Sequence, residues 1–81
     1  MDVLIGQKKA MAYVLAIVTG FNAGEKEVKI KARGRSISTA VDAAEIAKSR
    51  FIPDAKITDI SIGTEEIENR AVSTIEITMK K

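Results

Sequence analysis

Lys31-Ala32-Arg33-Gly34-Arg35-Ser36-Ile37-Ser38 is where the hydrophobic period of this chain changes from two residues to about 3.6. Upstream, from Glu27 to Arg33, apolar and charged residues alternate strictly. Val28, Ile30 and Ala32 face one way, and Glu27, Lys29, Lys31 and Arg33 the other, as in a strand with one buried face. Downstream, Ile37, Ala40, Val41, Ala44 and Ala47 fall on one side of a helix that Ser36 is placed to cap and that runs to about Phe51. Gly34 allows a backbone turn between strand and helix that a side chain would hinder. Arg33 and Arg35 flank that turn. Guanidinium groups beside a helix N-terminus make an anion site, because free backbone N–H groups and the helix dipole already favour negative charge there.

Working outward, Val3-Leu4-Ile5, ended by Gly6, is a short apolar strand. From Lys9 to Phe21 the residues Met11, Val14, Leu15, Val18 and Phe21 recur at helical spacing, and Asn22-Ala23-Gly24 stops that helix. On the second helix Ile46, with Ala43 nearby, lies opposite Ile37. This second apolar spot has no place in the same core and is expected to be a subunit contact. Pro53-Asp54 is a turn. Ile57–Thr64 and Val72–Met79 are β-branched runs joined by the arm Glu65–Ala71. The order βαβαββ predicts an α+β fold, a two-layer sandwich with two helices on one face of a four-stranded mixed sheet, as one domain over residues 1–81.

Composition narrows the chemistry. Cysteine and histidine are both absent, so disulfides and thiolate zinc sites are excluded, and the commonest general base near neutral pH is missing. No cofactor or metal is expected. Glu65, Glu66 and Glu68 lack the Asp-Gly pattern of a cation loop and are expected to form a flexible, solubilising one. No apolar run approaches the length of a membrane span, and the first residues lack a signal-peptide pattern, which predicts a cytoplasmic protein. The net charge is only +2, but it is polarised. Residues 1–35 carry seven basic residues against three acidic, a balance of +4, while residues 36–81 carry six against eight, a balance of −2.

The chain also resembles a known family along nearly its whole length. The matching blocks are Val3-Leu4-Ile5-Gly6; Met11 with Tyr13-Val14-Leu15-Ala16; Ile30-Lys31-Ala32-Arg33-Gly34-Arg35 with Ile37-Ser38; Ala40-Val41-Asp42; Arg50-Phe51 with Pro53; and Val72-Ser73-Thr74-Ile75-Glu76-Ile77. In this order they resemble the Alba family of small archaeal chromatin proteins. The resemblance implies a homodimer, or a heterodimer with a paralogue, that coats double-stranded DNA with little sequence preference, associates with the chromosome and also binds RNA. It implies that Lys8, Arg33 and Arg35 face the phosphate backbone and that the Glu65–Ala71 arm lies along the minor groove. It further implies that Phe51 joins dimers side by side and that Lys8 is the candidate for acetylation. Two departures stand out. Gly6-Gln7-Lys8-Lys9 has lysine where the family usually has proline, which adds charge and loosens the helix start. The arm is short and acidic, with Arg70 its one base, so it should reach less far and be repelled by phosphate.

Each candidate also has a structural alternative. Lys8 and Lys9 are either phosphate ligands or a solvated helix start, although cations there oppose the helix dipole. Gln7 offers an amide donor to phosphate or is idle. Tyr13, one turn after Lys9, either stacks or hydrogen-bonds near nucleic acid or is a half-buried ring. Arg33 and Arg35 either hold phosphate or clamp to Glu27 or Asp42. Phe51 joins dimers or caps the core. At the level of function, the alternatives to a nucleic-acid coat are a scaffold subunit of a ribonucleoprotein and a phosphate-handling enzyme. In the enzyme, Arg33 and Arg35 would hold substrate and Asp42 or Glu45 would act as base, without any phosphate-loop motif. With only Tyr13, Phe21 and Phe51 as aromatics, the chain lacks a stacking platform for single strands, which favours duplex binding.

Overall fold

The computed structural model describes residues 1–81. Strand β2 (Glu27–Arg33) occupies the predicted stretch and lies inside a four-stranded sheet of order β1-β2-β4-β3. The other strands are β1 (Asp2–Leu4), β3 (Lys56–Ile67) and β4 (Arg70–Lys80). β1 runs parallel to β2, and the remaining pairs are antiparallel, so the sheet is mixed. Helices α1 (Ala10–Asn22) and α2 (Ile37–Ile46) cover one face, giving the expected two-layer sandwich. β1 begins and ends one residue before the expected range, although the Ile5 N–H still bonds to the Lys31 carbonyl at 2.9 Å.

The core lies between Val28, Ile30, Ala32, Ile75, Ile77 and Met79 of the sheet and the inner faces of the helices. On α2 those inner residues are Ala40, Ala43 and Ala44, all buried, followed by the buried Ala47. Small side chains let this helix approach the sheet closely. The supposed second apolar spot is therefore a correction: Ala43 is fully buried and Ile46 packs against the core, while Val41, assigned to the inner face, is exposed. On α1 the buried set is Tyr13, Val14, Ile17, Gly20 and Phe21, whereas Met11 and Leu15 are exposed. The sequence Ala10–Asn22 has no charged residue to mark an outer side, so two rotational settings share Val14 and Phe21. The packed one places Ile17 inward.

Ser36 does not cap α2. Its backbone is already helical, with φ −81° and ψ −7°, because a 3₁₀ turn over Gly34–Ser36 precedes the helix. Past Ile46 the chain continues as a π turn, Ala47–Phe51. The arm is also more regular than a loop. β3 and β4 stay paired from Lys56↔Lys80 out to Ile67↔Arg70 and reverse on Glu68-Asn69, whose φ values are +49° and +64°. Both central residues in the left-handed region make the two-residue turn that suits the twist of a hairpin. Glu65 and Glu66 therefore sit on a paired strand, not on a flexible loop. No helix is long and apolar enough to cross a membrane.

Candidate nucleic-acid interface

Two loops carry the predicted residues: the β1–α1 loop with Gln7, Lys8 and Lys9, and the β2–α2 turn with Arg33, Gly34 and Arg35. Both leave the same end of the adjacent parallel strands β1 and β2. Gly34 has φ +58°, a conformation open to glycine at little cost, and it turns the chain directly from strand to helix.

Two hydroxyl groups hold these loops, one shaping the first and the other joining it to the second. The Tyr13 hydroxyl accepts hydrogen bonds from the Gly6 N–H at 2.8 Å and the Lys8 N–H at 3.1 Å. A Cβ at Gly6 would come within 3.3 Å of that hydroxyl, so the backbone approach favours a residue without a side chain. From the other loop, the Ser36 hydroxyl donates to the Gly6 carbonyl at 3.3 Å. The Gly6 residue is thus held on its N–H by α1 and on its C=O by the second loop, and the spacing of the two basic segments is set by the fold. Tyr13 is only 9% exposed, so its ring is a wall of the loop and does not offer a stacking surface.

Gln7, Lys8, Lys9, Arg33 and Arg35 are all exposed. Lys8, Lys9 and Arg35 have no carboxylate within ion-pair distance, whereas Arg33 donates from Nη1 to Glu65 Oε2 at 3.2 Å. The expected alternative partners of the arginines are engaged elsewhere or unused: Glu27 pairs with Lys80 at 3.4 Å, and Asp42 forms no ion pair. No side chain caps α1 and no acid lies in its first turn, so its free N–H groups and the adjacent lysines reinforce one positive field.

The contrast with the sheet is sharp. Lys29 meets Glu76 at 3.6 Å, and Lys31 meets Asp2 at 3.1 Å and Glu76 at 3.9 Å. The hydrogen bond from Lys31 holds the Asp2 carboxyl below its ordinary pKa, and the same bond raises that of Lys31. The positive charge left unpaired around β1 and β2 is therefore concentrated at the loop edge.

Arg70 does not join this cluster. It lies four residues along β4 from Thr74, the partner of Arg33, which is about 13 Å at strand rise, and it is exposed at the turn of the arm. Phe51 is 46% exposed at the end of the π turn, so it does not close the core. Asp42 and Glu45 stand exposed on α2.

Sequence reasoning missed three features of this surface: the Ser36 tether, the Glu65 partner of Arg33, and an apolar row on β3. Ile60 faces Ile77 and Ile62 faces Ile75, both on the core side of the sheet, yet they are 57% and 81% exposed. Their alternation was visible in the sequence, but it marks buried and uncovered strands equally.

The chain was compared with known proteins. The Alba family profile matches residues 2–64. "DNA/RNA-binding protein Alba 1" of Archaeoglobus fulgidus is 53% identical over 84 residues, covering 99% of this chain and 94% of that protein. "DNA/RNA-binding protein Alba" of Methanothrix thermoacetophila is 52% identical, covering 98% and 93%. Among solved structures, Alba from Thermoplasma volcanium superposes with a TM-score of 0.96 at 46% identity over the full length of both chains. ALBA1 from Trypanosoma brucei gives 0.85 at 26% identity, covering 99% of this chain and 68% of that one. With the family profile, the sequence identity and the fold all in agreement, this chain belongs to the Alba family.

Proposed function

We propose that this chain is a sequence-tolerant nucleic-acid-binding protein that acts as a dimer and coats double-stranded DNA, and binds RNA, through phosphate contacts. The observation that carries the reading is the unpaired positive charge of Lys8, Lys9 and Arg35 on two tethered loops beside strand β2, whose own bases Lys29, Lys31 and Arg33 are all paired with acids. Exposed, unpaired cations of this kind suit a polyanion, and contacts to its phosphates carry no sequence information. The names of the curated relatives, DNA/RNA-binding proteins, support the same assignment.

Lys8, Lys9, Arg35 and Arg33 serve as the cations, and Gln7 and the backbone at Gly34 as neutral donors. Tyr13 acts by positioning the first loop. Arg70 is the one base with which the arm can meet the polymer. The uncovered Ile60 and Ile62 supply an apolar surface for the second subunit, a copy of this chain or a paralogue. Phe51 supplies a contact between neighbouring dimers on DNA. Acetylation of Lys8 would remove a charge from the binding edge and loosen the complex. The setting that follows is the chromosome in the cytoplasm, and binding requires no catalytic step.

A salt titration on matched 16-base-pair DNA and RNA duplexes tests the proposal, with the double variant Arg33→Ala/Arg35→Ala alongside. Steep salt dependence that the double variant flattens is the expected result. Salt-insensitive affinity, or no binding to either duplex, refutes it. Tighter binding to RNA under the same conditions would assign the same face to RNA.

A further inference from the structure

Lys29, Lys31 and Arg33 stand in a row on the open face of β2, because residues two apart share a face. The acids that meet Lys29 and Lys31 come from β1 and β4, the strands beside β2. The acid that meets Arg33 does not. Glu65 belongs to β3, on the far side of β4, where the hairpin extends toward its turn. The register explains the reach. Arg33 faces Thr74, Thr74 faces Gly63, and Glu65 lies two residues beyond Gly63 on the same face. Thr74 is short and Gly63 has no side chain, so a shallow groove crosses the sheet there. The groove is lined by Leu4, Lys31, Arg33, Ser61, Gly63 and Thr74, with Glu65 at its edge. The guanidinium spans this groove and donates from Nη1 to Glu65 Oε2 at 3.2 Å.

We infer that Glu65 is an internal competitor for the phosphate group that Arg33 takes, an inference that rests on the phosphate-binding reading above. Glu65 takes one of the five N–H groups of the guanidinium, offsets its charge and orients it across the groove, so a phosphodiester must compete with the carboxylate for Arg33. In the free chain the carboxylate holds it. A phosphate at the body that takes the guanidinium fork for itself draws Arg33 off Glu65, which both lowers affinity below what the cations alone would give and releases the hairpin from its contact with the body. The arm is thereby coupled to the occupancy of Arg33: latched without nucleic acid and unlatched with it. Lys8, Lys9 and Arg35, which have no such competitor, make the first contacts.

Both partners are exposed, so the latch is weak by construction. Freeing Arg33 should raise affinity roughly two- to fivefold per subunit, hence roughly 4- to 25-fold for a dimer that uses both copies. The test is a double-mutant cycle on a 16-base-pair DNA duplex with Glu65→Gln, Arg33→Ala and the pair. Glu65→Gln should tighten binding by that factor in the parent and by less than twofold in the Arg33→Ala background. Glu66→Gln, on the opposite face of β3, supplies the control for a general change in charge. No gain in Glu65→Gln, or an equal gain in Glu66→Gln or without Arg33, overturns the inference. The guanidinium NMR signal of Arg33, recorded without nucleic acid, should move in Glu65→Gln, and an unmoved signal also overturns it. A salt-insensitive parent refutes the phosphate reading and this inference together, whereas a steep parent slope with no gain in Glu65→Gln refutes the competition alone.

Discussion

Replacing Arg35 by alanine removes one unpaired cation from each subunit without disturbing any ion pair of the free chain. Arg33 is left out of the count because Glu65 already offsets its charge; with Lys8, Lys9 and Arg35 each neutralising one phosphate, a dimer neutralises about six, and the logarithm of affinity should fall against the logarithm of salt with a slope of about −5.4. Arg35→Ala leaves about four such contacts and a slope of about −3.6. Between 50 and 200 mM salt the parent should therefore lose about 1,800-fold in affinity and the variant roughly 150-fold. Fluorescence anisotropy with a labelled 16-base-pair duplex measures both slopes, and three unrelated sequences should give the same pair of values, since phosphate contacts carry no sequence information. Lys26→Ala is the matched control. It removes an exposed lysine from the other end of β2, seven residues from Arg33. A slope that Arg35→Ala leaves unchanged, or that Lys26→Ala flattens as much, would refute the assignment of phosphate binding to the tethered loops.

Three further outcomes are expected. Tyr13→Phe deletes the acceptor of two backbone N–H groups and should cost about 1–3 kcal/mol of stability, with faster hydrogen exchange at Gly6 and Lys8; unchanged exchange there would deny Tyr13 its role in shaping the loop. The Asp2 carboxyl, whose pKa is lowered when folded, contributes stability that is complete above its ordinary value and is lost as the pH falls through the lowered one. The stability gap between the parent and Asp2→Asn, followed by chemical denaturation, should therefore be constant at neutral pH and close in acid. Ile62→Lys places a charge on the uncovered row of β3 and should convert a sedimenting dimer to monomer while leaving the far-ultraviolet circular dichroism unchanged; a persistent dimer would locate the subunit contact elsewhere.

The legible parts of the fold are those with a local cause. The alternation of Glu27–Arg33 and the glycine at the strand-to-helix turn could be read directly, and they place both basic loops. Where a pattern admits two solutions, the structure decides. Ala10–Asn22 is uncharged all round, so only packing reveals that Ile17 is inside and Leu15 outside. On an ideal helical wheel Ile46 lies opposite Ile37, yet at the end of α2 it packs, partly buried, against the core. The cations of the candidate site were legible by residue type and position. Their context was not. Ser36 meets Gly6 across 30 residues and Arg33 meets Glu65 across 32, contacts that depend on strand order and register and leave no local signature.

The hydroxyl tether between the loops also bears on motion along a polymer. A site whose parts are already held in place incurs its ordering cost during folding, not at each encounter with a ligand. Moving from one set of phosphates to the next then requires no rearrangement of the two tethered loops, only the exchange of counterions and of the Glu65 contact at Arg33. Held rigid by Tyr13 and Ser36, the binding edge is suited to short-lived, repeated steps between equivalent positions, so a coat built from such subunits can be dense and still redistribute when other machinery needs the strand.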